Sequence, residues 1–358
     1  MRACHAAAGA CCLFGCLLAG QTGLATAARI ALAAAPASTG ADVAAYRPDV
    51  QVAGVIRVWG QQEMSPVVTA WASGFASFQP QAKVLMHLMG SATAIPGLYG
   101  GLADLALLGR EANITDINGF GRVKQYAPLR LELMSGSLAS PGQSSALAVF
   151  VSSHNPITKI ALDQLAALFV CTAEHKPATP RRWGQLGATG EWANRPVHLY
   201  TFDLETGTGV FLRHALFADH MKLNWSAISE YRDIRRADGT VAQSAAAQIL
   251  MALSRDPYGV AIAHLGYRTP NIKLLPVAVR TNRTYYPLLA EHVMTGMYPL
   301  SRHTFAFIDR PPGASLTPLL REFLRYVLSR EGQYDIAQQR GYLPLSAQRL
   351  ALEVERIR

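Results

Sequence analysis

Hydrophobic positions along the chain fall into two spacings. Val55, Ile56, Val58 and Trp59 form a short β-rich run closed by Gly60, the pattern of a buried strand. Past Ser65 and Pro66, which suit a helix start, Val67, Trp71, Phe75 and Phe78 recur at helical spacing. Residues 83–89 form a second expected strand, ending at Gly90-Ser91 where a second helix should begin, and 103–108 a third strand. Strand, helix, strand, helix, strand at this spacing predicts a parallel sheet covered by helices. After a turn-rich stretch at 135–145, with Gly136, Pro141 and Gly142, the alternation resumes. Strands are expected at 146–151, 197–202, 259–265, 272–279 and 303–309. Helices are expected through Ile160, Leu165 and Phe169, at 210–218, at 242–254, and from Thr317-Pro318 with the stripe Leu319, Leu320, Phe323, Leu324, Val327 and Leu328. The fold class is α/β, and 358 residues exceed the usual single core, so two lobes are expected.

The two ends of the composition change this picture little. With 50% hydrophobic and 16% charged residues the chain can build a core, which excludes wholesale disorder. Its first residues read differently: Met1-Arg2 is a basic start, Ala6 to Gly20 is apolar and small, and Ala25-Thr26-Ala27 offers an Ala-x-Ala cleavage site. Residues 1–27 are therefore expected to be a cleaved signal peptide, and the Ala/Pro/Ser/Thr-rich residues 28–51 a flexible linker. Leu13-Phe14-Gly15-Cys16 is a poor lipoprotein box, because Phe14 is bulky and apolar residues continue after it, so no lipid anchor is expected. Four of five cysteines (Cys4, Cys11, Cys12, Cys16) lie in the leader, leaving Cys171 for core packing without a disulfide or zinc partner.

The net charge is +9, and the leader accounts for one of those charges. The basic residues are scattered and no nucleic-acid-reading motif accompanies them, so nucleic acid is not an expected partner. A diffuse positive field suits a small anion. Three loops between an expected strand and helix carry glycine and hydroxyl residues: Gly60-Gln61-Gln62-Glu63-Met64-Ser65, Gly90-Ser91-Ala92-Thr93 and Thr206-Gly207-Thr208-Gly209. Helix-start N–H groups and Ser/Thr hydroxyls there can hold an anion, although a hydroxyl at a helix start is more often a plain cap. Catalytic elbows, His-Glu-x-x-His and the phosphate-binding Gly-rich Lys motif are absent, and the histidines lack metal spacing. No catalytic residue, metal or cofactor is expected.

Taken in order, several segments resemble the PstS-like phosphate-binding proteins of ABC transporters. They are Ile56-Arg57-Val58-Trp59-Gly60, Gly90-Ser91, Ala103-Asp104-Leu105-Ala106, Val149-Phe150-Val151 with Asn155-Pro156-Ile157, Trp183-Gly184-Gln185-Leu186-Gly187 and Thr206-Gly207-Thr208. Nearer the C-terminus stand Tyr298-Pro299-Leu300-Ser301-Arg302, Arg321-Glu322-Phe323-Leu324, Leu328-Ser329-Arg330-Glu331-Gly332-Gln333 and Gly341-Tyr342-Leu343-Pro344-Leu345. The resemblance implies a two-lobed periplasmic binding protein type II fold closing on a ligand in the cleft. Lobe I would comprise 52–140 and 296–350, lobe II 145–278, and the hinge or crossing segments 141–144 and 279–295. It also implies a periplasmic, monomeric, non-enzymatic protein that delivers phosphate or a related oxyanion to an ABC permease. The ligand would be held by Gln61, Gln62, Ser91, Thr93, Arg110, Thr206, Gly207 and Thr208.

Two family features are missing here. The acidic residue that usually follows the third strand is absent from Leu107-Leu108-Gly109-Arg110-Glu111, and no Arg precedes Thr206 in Tyr200-Thr201-Phe202-Asp203-Leu204-Glu205. Arg110 either grips the anion with its guanidinium or pairs with Glu111 or another acid. Glu63, Asp203 and Glu205 would repel a dianion unless protonated or turned outward. A sensing or adhesive protein on the same fold, or an exported phosphatase, are the alternative classes.

Overall fold

The computed structural model describes residues 43–138, 145–170, 181–217, 223–266, 271–339 and 341–358. The expected signal peptide, linker residues 28–42, the 141–144 hinge and Cys171 lie outside the described residues.

The first lobe opens with β1 (Gly54–Gly60), α1 (Ser65–Phe78), β2 (Ala82–His87), α2 (Ser91–Tyr99), β3 (Leu105–Leu108), α3 (Ile114–Lys124) and β4 (Leu129–Ser135). The second lobe follows with β5 (Leu147–Ser152), β6 (Ile160–Ala161), α4 (Leu162–Phe169), β7 (His198–Phe202), α5 (Gly207–Leu216), β8 (Ile228–Tyr231), β9 (Ile234–Arg235) and β10 (Val241–Gln243). It continues through α6 (Ala245–Arg255), β11 (Gly259–His264), β12 (Ile272–Leu275), β13 (Val277–Ala278) and α7 (Ala290–Met294). The chain then returns to the first lobe with β14 (His303–Ile308), α8 (Pro318–Val327), α9 (Arg330–Gln338) and α10 (Ala347–Arg356).

Each lobe is a five-stranded mixed sheet, in the orders β2-β1-β3-β14-β4 and β12-β5-β11-β7-β8. The hydrophobic runs explain the parallel strands: Ile56, Val58 and Leu105 to Leu108 are fully buried under α1 and α2. β1 runs parallel to β2 and β3, and β14 enters antiparallel between β3 and β4. The α1 stripe packs as its spacing predicts, with Phe75 against Phe323 and Tyr326 of α8 at ring distances of 5.3 and 5.8 Å. In the second lobe β11 is parallel to β7 and antiparallel to β5.

Four expectations change. The first core already includes Tyr46, whose hydroxyl donates to Glu322 Oε2 at 2.8 Å, so the packed chain starts before residue 52. Ile160 belongs to a two-residue strand beside β13 and α4 begins only at Leu162, while Pro276 splits the expected 272–279 strand into β12 and β13. Leu288, Val293, Tyr298 and Leu300 pack in the second core, so within 279–295 the chain already belongs to that lobe. The return crossing falls at Ser301-Arg302, beside the outward one: Gly136 N donates to Arg302 O at 2.6 Å and Leu147 N to Leu300 O at 3.0 Å.

Candidate functional site

The site grows from the carboxyl ends of the parallel strands, where an open α/β sheet leaves a crevice. Gly60 ends β1 against β3 so closely that a Cβ would lie 2.6 Å from Leu107 O, which requires glycine. Its carbonyl accepts from Gly90 N at 2.9 Å, and next to it Gln61 Oε1 accepts from Gly109 N at 2.8 Å. These bonds tie together the three loops that follow β1, β2 and β3. Gly90, with φ of 119°, turns the chain into α2, whose first residue is Ser91. Thr93 Oγ1 donates back to Gly90 O at 2.9 Å, whereas Ser91 Oγ has no hydrogen-bond partner among the described residues. Gln62 is exposed on the short turn Gln62–Met64, with Glu63 exposed beside it.

The second lobe supplies the start of α5. Thr206 caps it: its Oγ1 accepts from Gly209 N at 3.2 Å and donates to Asp203 O at 2.7 Å, so the hydroxyl is committed to its own turn. Gly207 and Thr208 precede the first helical hydrogen bond, Val210 N to Thr206 O, and among the described residues their N–H groups are the unpaired donors of a helix start. A Cβ placed on Gly207 would lie 3.8 Å from Ser91 Oγ and 3.9 Å from Gln61 Nε2, so this helix start faces the first two loops across the cleft. Gln61, Ser91, Gly207 and Thr208 are thereby brought together.

Arg110 is buried at 5% exposure, and its Nη1 donates to Asp116 Oδ2 at 2.7 Å and to Glu111 O at 2.8 Å. Asp116 in turn closes the capping box at the start of α3, accepting from Asn113 N at 3.0 Å. Of the two readings left open, the structure therefore provides Arg110 with an acid. Glu111 pairs instead with Arg130. Two of the three acids expected to repel an anion are answered: Asp203, 6% exposed, pairs with Arg232, and Glu205 pairs with Arg213 at 2.9 Å, while Glu63 is turned out to solvent. Asp104 lies at the other end of β3, gripped by Arg57 at 2.7 and 3.0 Å. Burial alone would raise the Asp104 carboxyl, but the hydrogen bonds and charge of Arg57 outweigh it and hold it below the usual carboxylate range.

Arg302, the last residue of the Tyr298-Pro299-Leu300-Ser301-Arg302 motif and not among the expected ligand residues, occupies the centre of this arrangement. Its Nη2 donates to Gly109 O at 2.8 Å and its Nη1 to Thr208 Oγ1 at 3.2 Å. It is 3% exposed, lies over the Phe211 ring at 5.4 Å, and burial pulls its guanidinium down to about 10, which leaves it charged at neutral pH. The one signal available in the sequence is a cation between the apolar Tyr298-Pro299-Leu300 and the alternating β14. Among the described residues no group of three or more His, Cys, Asp or Glu is placed to hold a metal, and no helix is long and apolar enough to cross a membrane.

Residues 33–331 match the family model of the PBP superfamily domain. The chain belongs to the PBP superfamily. Within that superfamily it is 28% identical over 326 residues to the phosphate-binding protein PstS of Pseudomonas aeruginosa, covering 90% of this chain and 92% of the relative. It is 23% identical to protein SphX of Synechococcus elongatus, over 84% of this chain and 80% of that one. Among solved structures, PstS from Borrelia burgdorferi superposes with a TM-score of 0.56 at 16% identity, over 82% of this chain and 99% of that one. An ABC-type phosphate transport receptor from Vibrio cholerae gives 0.54 at 15% identity, over 80% and 99%. The PstS-like resemblance read from the motifs, and the two-lobed α/β fold it implies, are thus borne out.

Proposed function

We propose that this protein is an exported, monomeric substrate-binding protein that captures phosphate between its lobes and delivers it to an ABC permease. The observation that carries the reading is the α5 start, Gly207 and Thr208, set against Ser91 and Gln61 beside the buried Arg302 guanidinium. Unpaired helix-start N–H groups and the positive end of the helix favour an anion, and the neighbouring hydroxyl and amide groups complete its shell. Relatives named for phosphate binding, aligned over 90% of the chain, make phosphate the first candidate. Gln62, Thr93, Arg110 and Thr206 are further candidate contacts, with Thr206 also capping the helix, its hydroxyl and its N–H both donating to Asp203 O.

Thermal unfolding of residues 28–358 with phosphate, sulfate, arsenate and small carboxylates tests this. Phosphate at a hundred times its dissociation constant should stabilise the protein by roughly 2.7 kcal/mol. Gly207→Asp should abolish that shift while leaving the unliganded protein intact, because a Cβ there makes only ordinary van der Waals contacts and a carboxylate suits a helix start. A response to another anion alone would keep the binding protein and replace its ligand. Silence across the panel would favour a sensing or adhesive protein on this fold.

A further inference from the structure

The second crossing enters β14 at Arg302, and its side chain reaches one group in each lobe: Gly109 O in the first and Thr208 Oγ1 in the second. Both acceptors are neutral oxygens. Its third nitrogen, Nε, is buried and has no hydrogen-bond partner among the described residues. Among the described residues no carboxylate forms an ion pair with this guanidinium: its electrostatic neighbours are the Tyr342 phenol, then Glu63, exposed on the first loop where water screens it, and the like charge of Arg110. Removing a cation from water without a counter-charge is costly, and the Phe211 ring offsets only part of that cost. A strut between the lobes would need hydrogen bonds alone, which a neutral side chain could make. Arg110 differs on this point, since Asp116 already neutralises it.

We propose that Arg302 is the cation of the anion site, lying against the α5 start as the counter-charge of the bound oxyanion and coupling anion capture to contact between the lobes. The proposal rests on the anion-binding reading above. It gives the site the positive side chain missing ahead of Thr206, supplied from the crossing segment instead of the loop. A planar fork that already holds Thr208 with one arm can meet an oxyanion seated on the Gly207 and Thr208 N–H groups with little reorganisation.

Isothermal titration of inorganic phosphate into the wild type, Arg302→Lys and Arg302→Gln, each with its own unfolding curve, tests the proposal. Arg302→Gln should weaken phosphate binding about a hundredfold or more, the scale of losing a buried charge partner. Arg302→Lys, which keeps the charge without the fork, should lose about tenfold. In the wild type, the Arg302 Nε–Hε resonance, assigned by its loss in Arg302→Lys, should move on phosphate addition. A folded Arg302→Gln binding phosphate within threefold of the wild type overturns the proposal and leaves the phosphate reading standing. Should Arg302→Gln not fold, an unmoved Nε–Hε resonance at saturating phosphate overturns it equally. A wild type that binds no phosphate removes the reading beneath it, so the two failures are distinguishable.

Discussion

Two glycines two residues apart at the start of α5 carry opposite constraints. A Cβ on Gly209 would lie 2.2 Å from Asp203 O and 2.5 Å from Leu204 Cα, which are backbone atoms that cannot step aside. Gly209→Ala should therefore destabilise the protein by about 2–3 kcal/mol in urea unfolding, as overpacking does. Gly207→Ala meets nothing nearer than 3.8 Å and should be neutral or stabilising by up to about 1 kcal/mol, because alanine is the better helix former. Thr206→Ala removes the cap and should cost about 1 kcal/mol in the same assay. The cap also shows what sequence pattern can and cannot give at this scale. Thr206, Gly207 and Thr208 stand at a helix start as expected, but which hydroxyl is spent internally depends on Asp203 O and Gly209 N. Arg302 was illegible for the same reason. Its partners Thr208 and Gly109 lie 94 and 193 residues away, and no local spacing encodes them.

At the scale of elements, the start of β3 is fastened by Asp104 and Arg57, and this pair fixes the register of β1 beside it. Asp104 is held below its ordinary range, so its contribution is present above about pH 4 and is lost as pH falls through its folded value. Asp104→Asn should therefore flatten the acid limb of the stability–pH curve below about pH 4, read by chemical unfolding at a series of pH values, while changing neutral stability modestly because both side chains are partly exposed. Elements with an unbroken apolar period, such as β1, α1, β14 and α8, were legible in the sequence. α3 was not, because Phe120 is its one buried residue while Ile114 and Val123 stay exposed. Its capping pair, Asn113 and Asp116, was the available signal. β4 lies outside the expected strands although Leu129, Leu131 and Leu133 alternate. Its Glu132 is 2% exposed, with His303 at 2.7 Å and Arg349 at 3.3 Å, so a polar position that alternation would turn to solvent is covered by its neighbours.

For the whole molecule, the two crossings act as one joint. Gly136 bonds to Arg302, Leu147 to Leu300, and the buried Tyr298 hydroxyl donates to Leu147 O at 2.8 Å. Tyr298→Phe would leave that carbonyl without its partner, and a loss of about 1–3 kcal/mol is expected from thermal or urea unfolding. The placement of β14 also sets a timetable. The sheet of the second lobe uses one continuous stretch of chain, whereas the first lobe needs β14 wedged between β3 and β4 before its sheet is complete. During synthesis the second lobe can therefore fold while the first waits, its β3 and β4 exposing unpaired edges until residues 303–308 emerge. A chain that stalls just after Arg302 would carry a finished half and a sticky one.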